Sequence, residues 1–151
     1  FLANGDGSGS VSYSSVNPVL GLTWHASENL NLYVNYGKGF ETPTLAEVAY
    51  TSSGTTALPL FNPGLNASKS QHYELGAKWL PTPESRLDFN LYRINSTNEI
   101  GVSSSSNGQS AYKNAPRTTL TGAELAGRVL LEPHWRSDLS ASCIKARFSQ
   151  A

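Results

Sequence analysis

Apolar side chains occupy every second position from residue 30 to residue 36, and the positions between them are mostly polar. Successive side chains of a β-strand point to opposite faces, so this spacing predicts a strand with one apolar and one polar face. The same alternation recurs, more weakly in the last case, in residues 20–25, 73–79, 87–91, 123–131 and 135–148. The pattern therefore predicts an all-β, antiparallel chain of about six strands.

The connections between these segments alternate between short and long. Residues 27–29, 81–85 and 132–134 are short turns, whereas residues 41–68 and 97–117 are long loops rich in Gly, Ser and Asn. Outer-membrane β-barrels have short periplasmic turns and long extracellular loops, with strands of about 9 to 11 residues between them. The alternation is therefore typical of such a barrel. Within the second loop, Asn107-Gly108 is a strong signal for a hairpin tip.

Aromatic residues and the absence of long apolar runs agree with a barrel. Trp24, Trp79 and Trp135 each lie within a few residues of a predicted short turn. Barrels carry aromatic girdles at the membrane interfaces, although a soluble sandwich could also bury tryptophans near its ends. No apolar stretch reaches the roughly 18 to 20 residues of a membrane-spanning helix, so this chain could cross a bilayer only as strands.

Composition and charge exclude several other classes of protein. Eleven basic residues balance eleven acidic ones without a Lys/Arg run, so we expect no nucleic-acid partner. A single cysteine, Cys143, excludes an internal disulfide framework. His25, His72 and His134 lie one to a segment, without a second ligand or acid at metal-site or catalytic spacing. We therefore predict no catalytic residue, metal site or cofactor, and no enzyme.

Residues 36–47 form a block of the pattern Y-G-x-G-F-x-x-P-T-x-x-E. Further blocks follow in order: N-P-G-L at 62–65, Y-E-L-G at 73–76, Y-K-N-A at 112–115 and G-A-E-L at 122–125. From about residue 17 to 148 the chain resembles the barrel of TonB-dependent receptors, in which such blocks occur in this order. The motif positions are Gly37, Gly39, Phe40, Pro43, Glu47, Tyr73, Glu74, Gly76, Asn114, Gly122 and Glu124.

Physical roles can be predicted for some motif residues. Gly37 and Gly39 lack a Cβ, which permits close backbone approach or a bend where the strand leaves the membrane. Pro43 cannot donate to a strand ladder, so pairing is expected to end there. Glu74 and Glu124 fall on the polar face of their strands, where lumen water or an enclosed plug can pair them. We expect these glutamates to be structural polar lining.

The resemblance also has implications for the whole protein. It implies that residues 1–151 are part of one transmembrane β-barrel domain, about six strands of a 22-stranded plugged barrel, with the plug and other strands outside this chain. The protein would be an active-transport receptor in the outer membrane of a Gram-negative bacterium, in contact with outer-membrane lipid. It would bind an extracellular ligand, such as a ferric siderophore or another scarce small nutrient or cofactor. Energy would come from TonB through the N-terminal plug region.

The long loops are expected to face outward and to contact the ligand. The candidate ligand-binding residues are Tyr50, Phe61, Tyr112, Lys113 and Arg117. The last three offer an aromatic face and two cations close in sequence, which could hold an anionic, partly aromatic ligand. Simple packing within the loops is the alternative interpretation of each residue.

Two other classes of protein remain open. A porin or adhesin would share the alternation but would have no reason to carry the block at 37–47. A soluble β-sandwich binding module would pack its apolar faces against each other.

In the last segment, Lys145 and Arg147 interrupt the apolar alternation near the expected outer rim.

Overall fold

The computed structural model describes residues 8–132 and 134–149. The elements are β1 (Val19–Ser27), β2 (Leu30–Glu41), α1 (Leu45–Val48), β3 (Thr51–Ser53), β4 (Thr56–Leu58), β5 (Ser68–Thr82), β6 (Ser85–Thr97), β7 (Ile100–Ser106), β8 (Gln109–Asn114), β9 (Arg117–Glu132) and β10 (Trp135–Ser149). Six of them form one antiparallel sheet in the order β1-β2-β5-β6-β9-β10. The prediction of six antiparallel strands is therefore confirmed.

The alternation of short and long connections is also confirmed. Short connections join β1 to β2, β5 to β6 and β9 to β10, all at one end of the sheet. The long connections, residues 42–67 and 98–116, leave from the opposite end. The six strands are thus a simple meander in which every neighbour in sequence is also a neighbour in the sheet.

The long connections, which the sequence identified as long loops with one hairpin tip, contain secondary structure of their own. The first contains the helical turn α1 and the hairpin β3-β4, and the second contains the hairpin β7-β8. Asn107 and Gly108 form the tip of β7-β8 with φ angles of 51° and 76°, as a type I′ turn requires, which confirms the predicted hairpin tip. Within the described residues, no helix has the length and apolar character needed to span a membrane.

The strand register separates the sheet into two faces. One row of successive cross-strand partners runs across all six strands and is formed by Leu22, Val34, Leu75, Leu91, Ala123 and Cys143. We call the face that carries this row the outward face, and the opposite one the polar face. Leu22 and Leu75 are 68% and 55% exposed, and no second sheet within the described ranges covers them. A β-sandwich, which would bury these side chains, is not the fold of this part of the chain.

Tight packing lies at the long-loop end of the molecule. The buried hydrophobic residues among those described are Val48, Ala57, Leu65, Ala67 and Ala111. All of them belong to the two long connections and not to the six-stranded sheet. The sheet is therefore held by its backbone ladders, whereas the long connections have a small core of their own.

The assignment of faces predicts unequal effects of two neighbouring substitutions in β2. In a closed barrel that contains this chain, Val34→Arg places a cation on the lipid side and should lower the free energy of unfolding by about 2 to 4 kcal/mol. Asn35→Arg should be much milder, because Asn35 lies on the polar face opposite Glu74. Denaturant titrations of folding into lipid vesicles measure both changes. Equal losses for the two variants would contradict the assignment of faces.

Candidate functional site

The first motif block ends in a capped helical turn. β2 ends at Glu41, before Pro43, as predicted. Thr44 is the N-cap of α1: its hydroxyl accepts a hydrogen bond from the backbone N of Glu47 at 3.4 Å. In return, the carboxylate of Glu47 accepts one from the backbone N of Thr44 at 2.7 Å. This reciprocal pair is a capping box, and it starts the helix that buries Val48.

The motif residue Asn114 joins the two long connections. Its side-chain Oδ1 accepts a hydrogen bond from the backbone N of Asn66, and its Nδ2 donates to the carbonyl of Asn66, both at 2.8 Å. The same Nδ2 also donates to the carbonyl of Asn98 at 2.8 Å. One side chain thus replaces a short piece of backbone ladder between two segments that are far apart in sequence.

Other contacts complete a single folded unit, which we call the loop lobe (residues 42–67 and 98–116). The hydroxyl oxygens of Ser52 and Ser104 lie 3.1 Å apart. The hydroxyl of Ser106 accepts a hydrogen bond from the backbone N of Ala57 at 3.1 Å. Ala111 is fully buried within the lobe. The two connections therefore support each other and do not extend independently.

The structure gives the predicted ligand contacts different environments. Tyr50, Phe61 and Tyr112 are half-buried, whereas Lys113 and Arg117 are exposed. The ring of Phe61 packs so closely on the backbone of Gly9 that a Cβ there would have no room. Phe61 is thus engaged in internal packing on at least one side.

Tyr112, Lys113 and Arg117 do not form one surface. Tyr112 and Lys113 are adjacent in β8, and adjacent strand residues point to opposite faces. Tyr112 lies opposite Val102, which is 56% exposed, and Asn62 Nδ2 donates to the backbone carbonyl of Tyr112 at 3.4 Å. Arg117 begins β9, on the outward face of the sheet. Ligand binding by each residue stays a separate prediction.

Below the loop lobe, the polar face has a hydrogen-bonded centre at Glu74. Asn35 Nδ2 donates to one carboxylate oxygen at 3.0 Å, and the Tyr33 hydroxyl donates to the other at 3.3 Å. The register places Glu74 opposite Asn35 and Glu124 opposite Asn90. The prediction that both glutamates lie on the polar face is therefore confirmed.

Two motif glycines on the polar face lie beneath tyrosine rings. Gly76 is directly opposite Tyr33, and Gly122 is directly opposite Tyr92. In both pairs the ring occupies the space that a Cβ would need. The glycines thus let each ring pack on the neighbouring strand and cover its backbone. This cross-strand packing gives a physical reason for two positions that the sequence identified only by resemblance.

The polar face ends, at the base of the loop lobe, in a concavity of about 530 Å³. Its lining includes His72 and the carboxylates of Glu41, Glu47 and Glu99. Its charge therefore favours hydrogen-bond donors and cationic groups. No group of His, Cys, Asp and Glu suited to holding a metal ion occurs in the part of the chain that the structure describes.

At the short-turn end, the polar face carries a network of ion pairs. Arg86 and Asp88 are 2.7 Å apart, and Asp138 lies 2.8 Å from both Arg128 and Arg136. Arg86 and Arg128 are cross-strand partners, so the two aspartates offset the repulsion between their guanidinium groups. These side chains are about half exposed, and we expect each pair to stabilise the sheet only slightly.

Comparison with known proteins assigns the chain to a family. The family model described as "TonB dependent receptor-like, beta-barrel" matches residues 1–149. The chain therefore belongs to this family of transport-receptor barrels, and the resemblance inferred from the motif blocks is confirmed. Its fold is that of an antiparallel β-barrel wall, as an open sheet.

Solved receptor structures share this fold. The siderophore receptor PirA from Pseudomonas aeruginosa matches with a TM-score of 0.72 at 17% identity, over 87% of this chain and 28% of that one. The alcaligin outer-membrane receptor FauA from Bordetella pertussis matches with 0.60 at 21% identity, over 88% and 22%. A mutant ferric enterobactin receptor, PfeA from Pseudomonas aeruginosa, in complex with enterobactin, matches with 0.65 at 19% identity, over 83% and 22%. The chain spans about a quarter of the length of these receptors.

Some functional features were absent from the sequence prediction. The capping box of Thr44 and Glu47 had a local signal, because Thr-x-x-Glu before an apolar residue is a helix-start pattern. The bridge from Asn114 to Asn66 spans 48 residues and had no local signal. The hairpin β3-β4 has only three residues in each strand, too few to show a two-residue period.

The bridge predicts that Asn114→Ala loosens the loop lobe in the full-length receptor. The variant loses three hydrogen bonds, so the local opening free energy at the loop bases should fall by about 1 to 3 kcal/mol. Amide hydrogen exchange at Asn66 and Ala115 measures this loss. Asn66→Ala is the matched control, because Asn114 binds only the backbone of Asn66. Unchanged exchange in Asn114→Ala, or equal loss in both variants, would contradict the assigned role.

Proposed function

We propose that this chain is part of the wall of an active-transport receptor in the outer membrane of a Gram-negative bacterium. The receptor binds a ferric siderophore, or another scarce small nutrient or cofactor, at its extracellular loops. It moves that ligand through the barrel lumen with energy from TonB, received through a plug region outside this chain. The protein acts as a transporter and not as an enzyme.

The observation that carries this proposal is the folded loop lobe above a polar sheet face. A ligand receptor needs loops with a defined shape, because ordering flexible loops on binding would cost affinity. The lobe has its own buried core and the Asn114 bridge, so its shape exists before a ligand arrives. The names of the similar solved structures support the ligand class, since they are receptors for siderophores, alcaligin and ferric enterobactin.

Within the loop lobe, Tyr112 is the leading proposed ligand contact. Its half-buried ring lies beside the exposed side chain of Val102 on one face of the β7-β8 hairpin, an apolar surface with a polar hydroxyl. Tyr50 and Phe61 in the first connection, with Lys113 and Arg117, complete the proposed contacts. The carboxylate-lined concavity below them could receive the donor groups of a ligand or of the plug.

A porin or adhesin is the remaining alternative. Such a barrel would use the same two-faced sheet and would also keep long loops outside. It would have no need for energy from the inner membrane. The requirement for that energy therefore separates the two functions.

The ligand contact is tested by Tyr112→Ala in the full-length receptor. Loss of a partly desolvated aromatic contact should weaken binding by about 1 to 3 kcal/mol, while barrel assembly stays normal. Titration of the purified receptor with a panel of ferric siderophores measures the change. Glu84→Ala, in the short turn between β5 and β6, is the control variant. If the panel member bound by the wild type binds Tyr112→Ala equally well, the first connection becomes the leading recognition surface.

The energy requirement gives a second expected outcome. Cells that carry the receptor should bind the iron-labelled ligand at the surface with or without a protonophore. They should accumulate it only when the proton gradient and TonB are intact. Accumulation that continues in cells without TonB would show passive passage and would favour the porin.

A further inference from the structure

Six cationic residues lie together on the outward face, toward the long-loop end of the sheet. They are Lys38, Lys69, Arg93, Arg117, Lys145 and Arg147. The register places them there because each is an even number of residues from an apolar outward-facing residue of its own strand, for example Lys38 from Val34. We call this set the basic band. It includes the two cations that interrupt the alternation of the last strand.

Five of the six acidic residues in these strands point the other way, and the sixth, Glu132, ends β9 at the short-turn end of the sheet. The register places Glu41, Glu74, Asp88, Glu124 and Asp138 on the polar face. The ion pairs between described residues all lie on that face, and none includes a member of the basic band. The charge of the basic band is therefore not neutralised by carboxylates of the described chain.

The basic band begins at the level of an aromatic pair. The rings of Tyr36 and Tyr73 lie on the outward face with their centroids 5.2 Å apart, and Tyr73 is the cross-strand partner of Arg93. Lys38 and Lys69 lie farther toward the loop lobe. Tyrosines of barrels concentrate at the membrane interface, so this pair marks the level of that interface. Two residues of a strand rise about 7 Å, so the cations at and beyond this level lie at the depth of the lipid headgroups.

Four members of the basic band line one concavity of about 690 Å³. They are Lys38, Lys69, Arg93 and Arg117, and the lining also includes Asn95 and Thr119 but no acidic residue. Asn95 Oδ1 accepts a hydrogen bond from Arg93 Nε at 3.0 Å, which orients the guanidinium group. The concavity thus offers several cationic donors to one anionic group of headgroup size.

We propose that the basic band binds the phosphate groups of phosphorylated lipids in the outer leaflet. This inference rests on the proposed outer-membrane location but not on ligand import. Unpaired cations that face lipid are costly in hydrocarbon, whereas at headgroup depth phosphate oxygens can accept their charge-assisted hydrogen bonds.

The test uses the full-length receptor in detergent and three probes: diphosphoryl lipid A, phosphatidylcholine and inorganic phosphate. The triple variant Lys38→Gln, Lys69→Gln, Arg93→Gln removes three cations of the basic band and leaves Arg117, a proposed ligand contact, unchanged. We expect its affinity for lipid A to fall at least about tenfold, with weak phosphatidylcholine binding unchanged. The like-charged triple Lys38→Arg, Lys69→Arg, Arg93→Lys should keep most of the affinity.

The control removes equal charge from the polar face with Lys78→Gln, Arg86→Gln, Arg128→Gln. Unchanged lipid A affinity in the first triple variant would overturn the proposal, as would equal loss in the control. Inorganic phosphate that binds as tightly as lipid A would identify a free-anion site instead and also overturn it. Heat-modifiable migration on gels confirms that each variant is folded. Siderophore binding and lipid A binding are measured separately on each variant. A loss of one with the other unchanged therefore distinguishes a failure of this inference from a failure of the proposed function.

Discussion

Backbone hydrogen bonding is the constraint on which the rest of this structure depends. Hydrocarbon offers no partner for an N–H or C=O group, so strands that cross a membrane must pair along their whole length. The six strands are 9 to 16 residues long and pair in one antiparallel meander, with register irregularities only near the short turns. Among the described residues, β1 and β10 have only one neighbour each, and the remaining strands of a closed barrel would satisfy their free edges.

Because the strands pair continuously, the position of each residue in its strand determines on which of the two faces of the sheet its side chain lies. Because the side-chain period of a strand is two, one face receives lipid-compatible residues and the other receives Glu74, Asn35 and the tyrosine-glycine pairs. Outside the bilayer this constraint ends, and chain segments can fold around a core. The buried hydrophobic residues and the Asn114 bridge accordingly lie in the loop lobe. The architecture thus separates a wall held by ladders from a loop lobe held by packing.

The period of two made the wall predictable from sequence, since the alternation at residues 30–36 needs no knowledge of distant partners. The hairpin tip at Asn107-Gly108 was predictable for a similar local reason, the tolerance of both residues for positive φ. The interior of the loop lobe was not. The hairpin β3-β4 is supported by Ser104 and Ser106, about 50 residues away, and no local pattern encodes such contacts. The proposed ligand contacts depend on that long-range packing, so adjacency in sequence grouped Tyr112 with Lys113 although they point apart.

The central claim, that this sheet is a membrane wall with one lipid face and one lumen face, is tested most directly along β5. Nitroxide labels placed singly at residues 73 to 79 of the full-length receptor in lipid bilayers report collisions with oxygen and with a water-soluble nickel chelate. Oxygen accessibility should peak at Tyr73, Leu75, Ala77 and Trp79, and nickel accessibility should peak at the residues between them. Absence of a two-residue period, or strong nickel accessibility at every position, would contradict the account.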